Sequence, residues 1–254
     1  MTNREHESEI ALTLARRTYI YNLMHVVFGS EPTGQTVEMM FSEDAFEAFA
    51  VVSGYFSQEG CSDGATARLG KDDVAIACRV KTAVALLGKA RAASSDSAFA
   101  DDLSSDYVKL FLLPGPAYVY PWESPYVGKE KLLFQESTLD VRSYYYDAGF
   151  KLQAERRSPD DHIAAMMDYL GRMSGRAFEA YADGNDEQAL RILKTQRAFL
   201  SNHVLNWIGD LAAQIAEKDK RAYYAAFAVI LDAFVRFDDR STEEIVRELE
   251  GCAK

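Results

Sequence analysis

Asp161 and His162 stand side by side in this chain with the chemistry of an acid/base pair. A carboxylate and an imidazole in the opening turn of one helix can face outward together and move protons, alone or beside a metal. The same two residues also fit an ordinary helix cap with an exposed histidine, and the sequence leaves both readings open. His203 and Trp207 lie one turn apart on the same side of a helix, where packing around a satisfied core histidine is the expected role. Other catalytic templates fail. The four histidines, His6, His25, His162 and His203, are far apart, with no HExxH and no Gly-x-Ser-x-Gly elbow. Gly64 to Lys71 looks like a phosphate loop only superficially, since five residues separate Gly64 from Gly70 and Asp72 replaces the metal-binding hydroxyl. No catalytic residue, metal ligand or cofactor is expected beyond the open Asp161/His162 question.

The stretch from Asp106 to Tyr126 is the most unusual in the chain. An amphipathic helical end, Tyr107 to Leu113, runs into Pro114, Pro116, Pro121 and Pro125, four of the six prolines. Prolines fix φ and withhold donors, so neither a helix nor a central strand persists there. A flexible linker would not carry Tyr118, Tyr120, Trp122 and Tyr126, so an ordered functional loop over about 114–136 is expected.

The elements that must position these residues all read as helices. Ile10 to Phe28 is apolar on nearly every side, and a second helix starts near Ser42. A third runs from about Ala65 to Ala92, broken by Ser94-Ser95-Asp96-Ser97. Ser137 to Gly149 is a helix closed by glycine at its left-handed position. Ser158-Pro159-Asp160-Asp161-His162 reads as a helix start with Ser158 as cap, Pro159 in the first turn and both aspartates at the positive dipole end. Ile163, Met166, Met167, Leu170 and Met173 form its buried stripe, which places Asp161 opposite that stripe and His162 at its edge. Asp183 to Asp186 caps a long helix reaching about Glu217. Lys220 to Phe237 makes another, and Ser241-Thr242-Glu243-Glu244 caps a last short one. No segment alternates with period two. The expected fold is an all-α bundle of about eight to eleven helices, one domain over residues 1–254.

Composition narrows the function classes. A net charge of −11 disfavours a nucleic-acid backbone as partner. Cys61, Cys78 and Cys252 are odd in number and widely spaced, and the N-terminus is acidic where a secretory signal needs a basic start. The longest apolar run, Ala222 to Leu231, is about half the length of a membrane helix. A reduced, cytoplasmic protein without an integral membrane segment is expected.

Taken in order, several of these pieces resemble the cytoplasmic redox-enzyme maturation chaperones of the TorD and DmsD type. The resemblance is carried by Tyr107-x-x-Leu110-Phe111, the Gly115-Pro116 turn, Tyr120-Pro121-Trp122-Glu123-Ser124-Pro125-Tyr126, Val141-Arg142-x-x-Tyr145 and Gly149-Phe150. Pro159-x-Asp161-His162-Ile163 and Phe199-x-x-x-His203-x-x-x-Trp207 complete it. It spans about 105–237. It implies a non-enzymatic protein that binds the twin-arginine signal peptide of a molybdopterin oxidoreductase subunit, holds the subunit until its cofactor is inserted, and releases it for export. The positions matching the family's leader-binding residues are Tyr107, Leu110, Phe111, Pro121, Trp122, Asp161 and His162, with Glu123, Ser124 and Tyr126 in the same segment. The family often has Glu where this chain has Ser158.

Such a leader offers two guanidinium groups followed by an apolar segment. Asp161 and Glu123 would supply carboxylates, Trp122 and Tyr126 a stacking surface, and Leu110 with Phe111 an apolar floor. His162 would tune the charge near neutral pH. On this reading, replacing Asp161 and His162 together by alanine weakens leader binding and leaves stability almost unchanged. The alternatives are a helical metal-assisted hydrolase using Asp161 and His162, and a helical adaptor that ignores signal peptides. Monomer and element-swapped dimer are both compatible with the long 113–137 connection.

Overall fold

The structure is a computed structural model, and it describes residues 3–58, 71–92, 94–128, 130, 132–151 and 159–252. The described residues are all-helical, with eleven α-helices: α1 (Asn3–Gly29), α2 (Gly34–Met40), α3 (Glu43–Gln58), α4 (Lys71–Arg91), α5 (Ser97–Tyr107), α6 (Ser124–Val127), α7 (Glu136–Asp147), α8 (Ile163–Ala182), α9 (Asp186–His203), α10 (Ile208–Lys218) and α11 (Tyr223–Cys252). A π-helical turn, Val108–Leu112, continues α5. The only extended pairing among the described residues is one isolated antiparallel bridge, Trp122 with His162. None of the described helices is long and apolar enough to cross a membrane. Ser158 and the phosphate-loop-like Gly64 to Gly70 lie outside the described residues.

The chain divides into two compact units. The first comprises residues 1–28, 122–207 and 238–254, the second 29–121 and 208–237. In the first, α8 packs along α9, and Ile10, Leu14, Ala177, Leu193, Ile245 and Leu249 share one core cluster. The stripe of α8 is as its spacing predicts: Ile163, Met166, Met167, Leu170 and Met173 are all buried. Buried beside this core is a polar network in which Arg17 bonds Asp238 through two nitrogens, one at 3.1 Å, and Tyr21 donates to Asp238 at 2.6 Å. Helix α7 ends as glycine dictates. Gly149 takes φ +67, and Phe150 N donates to the Tyr145 carbonyl at 2.8 Å.

The second unit packs α3 along α4 and centres on aromatic edges, with Phe41 and Phe49 both against Phe227. Tyr107, Phe111 and Tyr224 form a second ring cluster, with centroids 5.2 to 5.9 Å apart. The π-helical turn closes with Leu113 N donating to the Val108 carbonyl and so turns the chain into its proline segment.

Two helix boundaries differ from expectation for local reasons. The helix expected over 186–217 is two, α9 and α10. The Trp207 indole N–H donates to the His203 carbonyl at 2.6 Å, taking that acceptor out of the helical ladder at the break. Ser241 starts no new helix, because its hydroxyl bonds back to the Asp238 carbonyl within a continuous α11 and Thr242 is buried.

Candidate functional site

The site in the first unit is built where the tripeptide Trp122-Glu123-Ser124 meets a turn. Trp122 bridges to His162, Glu123 already has helical dihedrals (φ −63, ψ −47), and Ser124 opens α6 with Pro125 in its first turn, where proline is tolerated. The tripeptide pairs with Asp161-His162. Glu123 N donates to the Asp161 carbonyl at 3.0 Å, and Ser124 N donates to Asp161 Oδ2 at 2.8 Å. Ser124 is the first residue of α6, so the Asp161 carboxylate satisfies an amide at that helix's positive end. Asp160 is held from the other side: Arg142 bonds its carboxylate, and the Tyr145 hydroxyl donates to its carbonyl at 3.1 Å.

This arrangement corrects the helical-wheel placement of Asp161. Helix α8 begins at Ile163, with His162 as its cap in extended conformation (φ −71, ψ 134). Asp161 therefore precedes the helix, the 100° rule does not reach it, and it is 0% exposed. Pro159 and both aspartates likewise precede the helix instead of forming its first turn. The acid/base pair does not face outward. Asp161 Oδ2 is engaged with Ser124 N, and His162 Nδ1 accepts from Ala164 N at 3.1 Å. Asp161 Oδ1, Trp122 Nε1 and Ser124 Oγ are buried polar atoms without a protein partner among the described residues. No group of three or more His, Cys, Asp or Glu that could hold a metal occurs among the described residues.

His162 stacks its ring edge on Trp122, with centroids 5.1 Å apart at 82°. Burial first, and then the charge of His25, push its imidazole down to about 4. The cap bond from Ala164 needs the Nδ1 lone pair and agrees with a neutral ring. The side chain is thus uncharged at neutral pH and does not tune charge there, contrary to the expectation above. The sign of the stability effect follows. Above the ordinary value of 6.5 both folded and unfolded chains hold it neutral; between 6.5 and about 4 only the unfolded chain is protonated, so stability falls with pH across that window. Wild type is expected to lose about 2 kcal/mol more than His162→Asn between pH 7 and pH 5, since asparagine keeps the cap acceptor but does not titrate. Urea melts of both proteins at the two pH values measure it.

Glu123 is not the free carboxylate expected for an arginine. It is buried, its Oε2 lies 3.1 Å from His203 Nδ1, and His203 Nε2 lies 3.1 Å from Asp140 Oδ2. Burial raises the Glu123 carboxyl above its ordinary value, while the bond to His203 opposes the rise. His203 is flanked by the rings of Tyr144 and Phe199, and Tyr126 stacks on Trp207 at 5.1 Å. His203 is therefore a satisfied core histidine, as expected, but one held between two carboxylates. Asp140 was missed by sequence reasoning; its visible signal is Glu136, one turn earlier on α7 and of the same charge.

The remaining expected site residues belong to the second unit. Tyr107, Leu110 and Phe111 are core residues there, and Leu110 is pinned by its carbonyl to Val119 N at 2.8 Å. Leu110 and Phe111 thus form interior and not an exposed floor. Pro121 is buried as well. The apolar side chains that this segment does expose are Leu112, Leu113 and Tyr120.

A family model described as nitrate reductase delta subunit matches residues 75–213. The chaperone protein TorD of Vibrio parahaemolyticus is 27% identical over 137 residues, covering 54% of this chain and 62% of that protein. The chaperone protein TorD of Photobacterium profundum is 28% identical over 137 residues, with the same coverage. That of Vibrio cholerae is 26% identical over 147 residues, covering 58% of this chain and 65% of its own length. The match spans less than two thirds of the length of these relatives.

Proposed function

This chain belongs to the nitrate reductase delta subunit family, and from that premise we propose that it is a cytoplasmic assembly chaperone for a molybdopterin oxidoreductase subunit. In this role it binds the subunit's twin-arginine leader, or the subunit before its cofactor is inserted, and releases it for export. It performs no reaction of its own. The observation that carries the reading is that the family match, 75–213, contains both the Trp122–Ser124 tripeptide and the Asp161–His162 turn bonded to it. The TorD relatives, similar over 54% of this chain, are named chaperones. Against hydrolysis by Asp161 and His162 stands their geometry, since the pair is buried in part and Asp161 Oδ2 and His162 Nδ1 are each committed to a backbone amide.

The test is calorimetric titration with a synthetic twin-arginine leader beside the same peptide carrying two lysines. Binding at about micromolar affinity or tighter is expected, with the lysine peptide at least about tenfold weaker, because lysine lacks the planar fork that engages carboxylates in pairs. No binding of either peptide would turn the reading toward a factor that recognises a folded body.

A further inference from the structure

The first unit carries an open cleft of about 1240 Å³ between the α6–α7 connection and the end of α9, lined by Leu132, Phe134, Glu136, Leu139, Asp140 and His203 among others. Water meets unusually large apolar side chains there: Leu132 is 56% exposed, Phe134 63% and Leu139 62%. Their turn is held in place. Gln135 Nε2 bonds the Leu132 carbonyl at 2.8 Å, and the Gln135 amide packs so close to Gly128 that a Cβ there would lie 2.1 Å from its oxygen and displace it. Phe134 itself sits at φ +61, a left-handed conformation that costs a non-glycine residue about 1 kcal/mol or more. An aromatic held outward at such a cost is an unusual way to decorate a surface.

The described lining of the cleft is acidic. Its described ionisable lining is Glu123, Glu130, Glu136, Asp140 and His203, with no lysine or arginine. Counting Lys129 and Lys131, whose side chains lie outside the described residues, stretch 123–140 still sets four carboxylates against two lysines. Glu136 and Asp140 stand one turn apart on α7, a like-charge spacing that weakens a helix unless a cation lies between. Asp140 is fixed by His203 at 3.1 Å with its side chain 59% exposed, and buried Glu123 holds that histidine from behind.

We propose that this cleft receives the leader itself: Glu136 and Asp140 take the guanidinium groups, and Leu132, Phe134 and Leu139 take the apolar side chains that follow them. This rests on the chaperone reading above and moves its arginine contacts from Asp161 and Glu123, both buried, to the exposed carboxylates of α7. The occupant is fixed by chemistry, an extended peptide with adjacent arginines and an apolar continuation, since an apolar partner alone leaves the carboxylate pair unmatched.

The test is fluorescence anisotropy with a labelled twin-arginine leader and its two-lysine counterpart, using the full chain. Glu136→Gln with Asp140→Asn is expected to weaken the arginine peptide about tenfold to a hundredfold and to erase most of the arginine-over-lysine preference. Phe134→Ser with Leu139→Ser should weaken both peptides about equally, by tenfold or more, while Val74→Ser, an exposed control on α4, changes neither. All the substituted residues are exposed, so folding is checked by matching melting curves. If wild type binds the leader and the cleft variants bind it as well as wild type, the cleft is overturned and the chaperone reading stands. If wild type binds neither peptide, the cleft proposal falls and the chaperone reading turns to recognition of the subunit's folded body. A wild-type dimer that Phe134→Ser with Leu139→Ser dissociates in sedimentation would also overturn the proposal, marking the cleft as a contact between two copies.

Discussion

Asp238→Ala is expected to lower the unfolding free energy by about 3 to 5 kcal/mol, the largest effect of any single polar substitution proposed for this chain. Asp238 is fully buried and answers three donors: two nitrogens of Arg17 and the Tyr21 hydroxyl. Arg17 is itself 1% exposed and also donates to Gln196 Oε1 at 3.3 Å, while Gln196 donates to the Leu170 carbonyl and Ser174. Removing the carboxylate strands a guanidinium in the interior, and the loss comes from that uncompensated charge more than from the lost attraction. Arg17→Met together with Asp238→Leu should therefore recover most of the deficit. Urea unfolding of the single and double variants separates the two accounts, and a double variant as unstable as Asp238→Ala would show that the pair itself supplies the stability.

The second large effect concerns Asp161 and His162. Replacing both by alanine is expected to cost about 2.5 to 4 kcal/mol: roughly 1.5 to 3 for a buried carboxylate that accepts Ser124 N, and about 1 for the helix cap that His162 gives to Ala164 N. This reverses the expectation drawn from the sequence, in which the pair faced solvent and could be removed freely. Loss of leader binding in the double variant would then follow from loosening of the Trp122–Ser124 tripeptide as readily as from a lost contact. Asp161→Asn with His162→Asn distinguishes the cases, because both residues keep an acceptor. Near-wild-type melting with weakened binding assigns the pair a contact role; near-wild-type melting with full binding assigns it to scaffolding.

The helices were legible because burial repeats with the helical period. Ile163 to Met173 reads as one stripe in sequence and is one in space. Asn185, Asp96 and Ser42 cap helices through their side-chain oxygens as their types suggest. What the sequence hid depends on long-range pairing. Nothing local says that Glu123 will find His203, 80 residues away, or that His203 will find Asp140. The π-helical turn at Val108–Leu112 has no compositional mark, and it helps carry Leu110 and Phe111 into the interior. The buried place of Asp161 follows from a helix beginning four residues later than the proline and aspartates suggest. The Asp161 miss is a case of a local rule applied beyond the element that obeys it; the others lie in pairings that no local rule reaches.

The bond between Arg17 and Asp238 has a consequence during synthesis. The two residues lie 221 positions apart, and the first unit is assembled from the opening, middle and closing stretches of the chain. At about 5 to 20 residues per second, roughly 10 to 45 seconds pass between the appearance of the guanidinium and that of its carboxylate. Over that interval α1 has no Asp238 to neutralise its arginine and no Ile245 or Leu249 to complete its core cluster. The α7 stretch that lines the cleft is thus translated well before the α11 residues that complete the core of the unit carrying it.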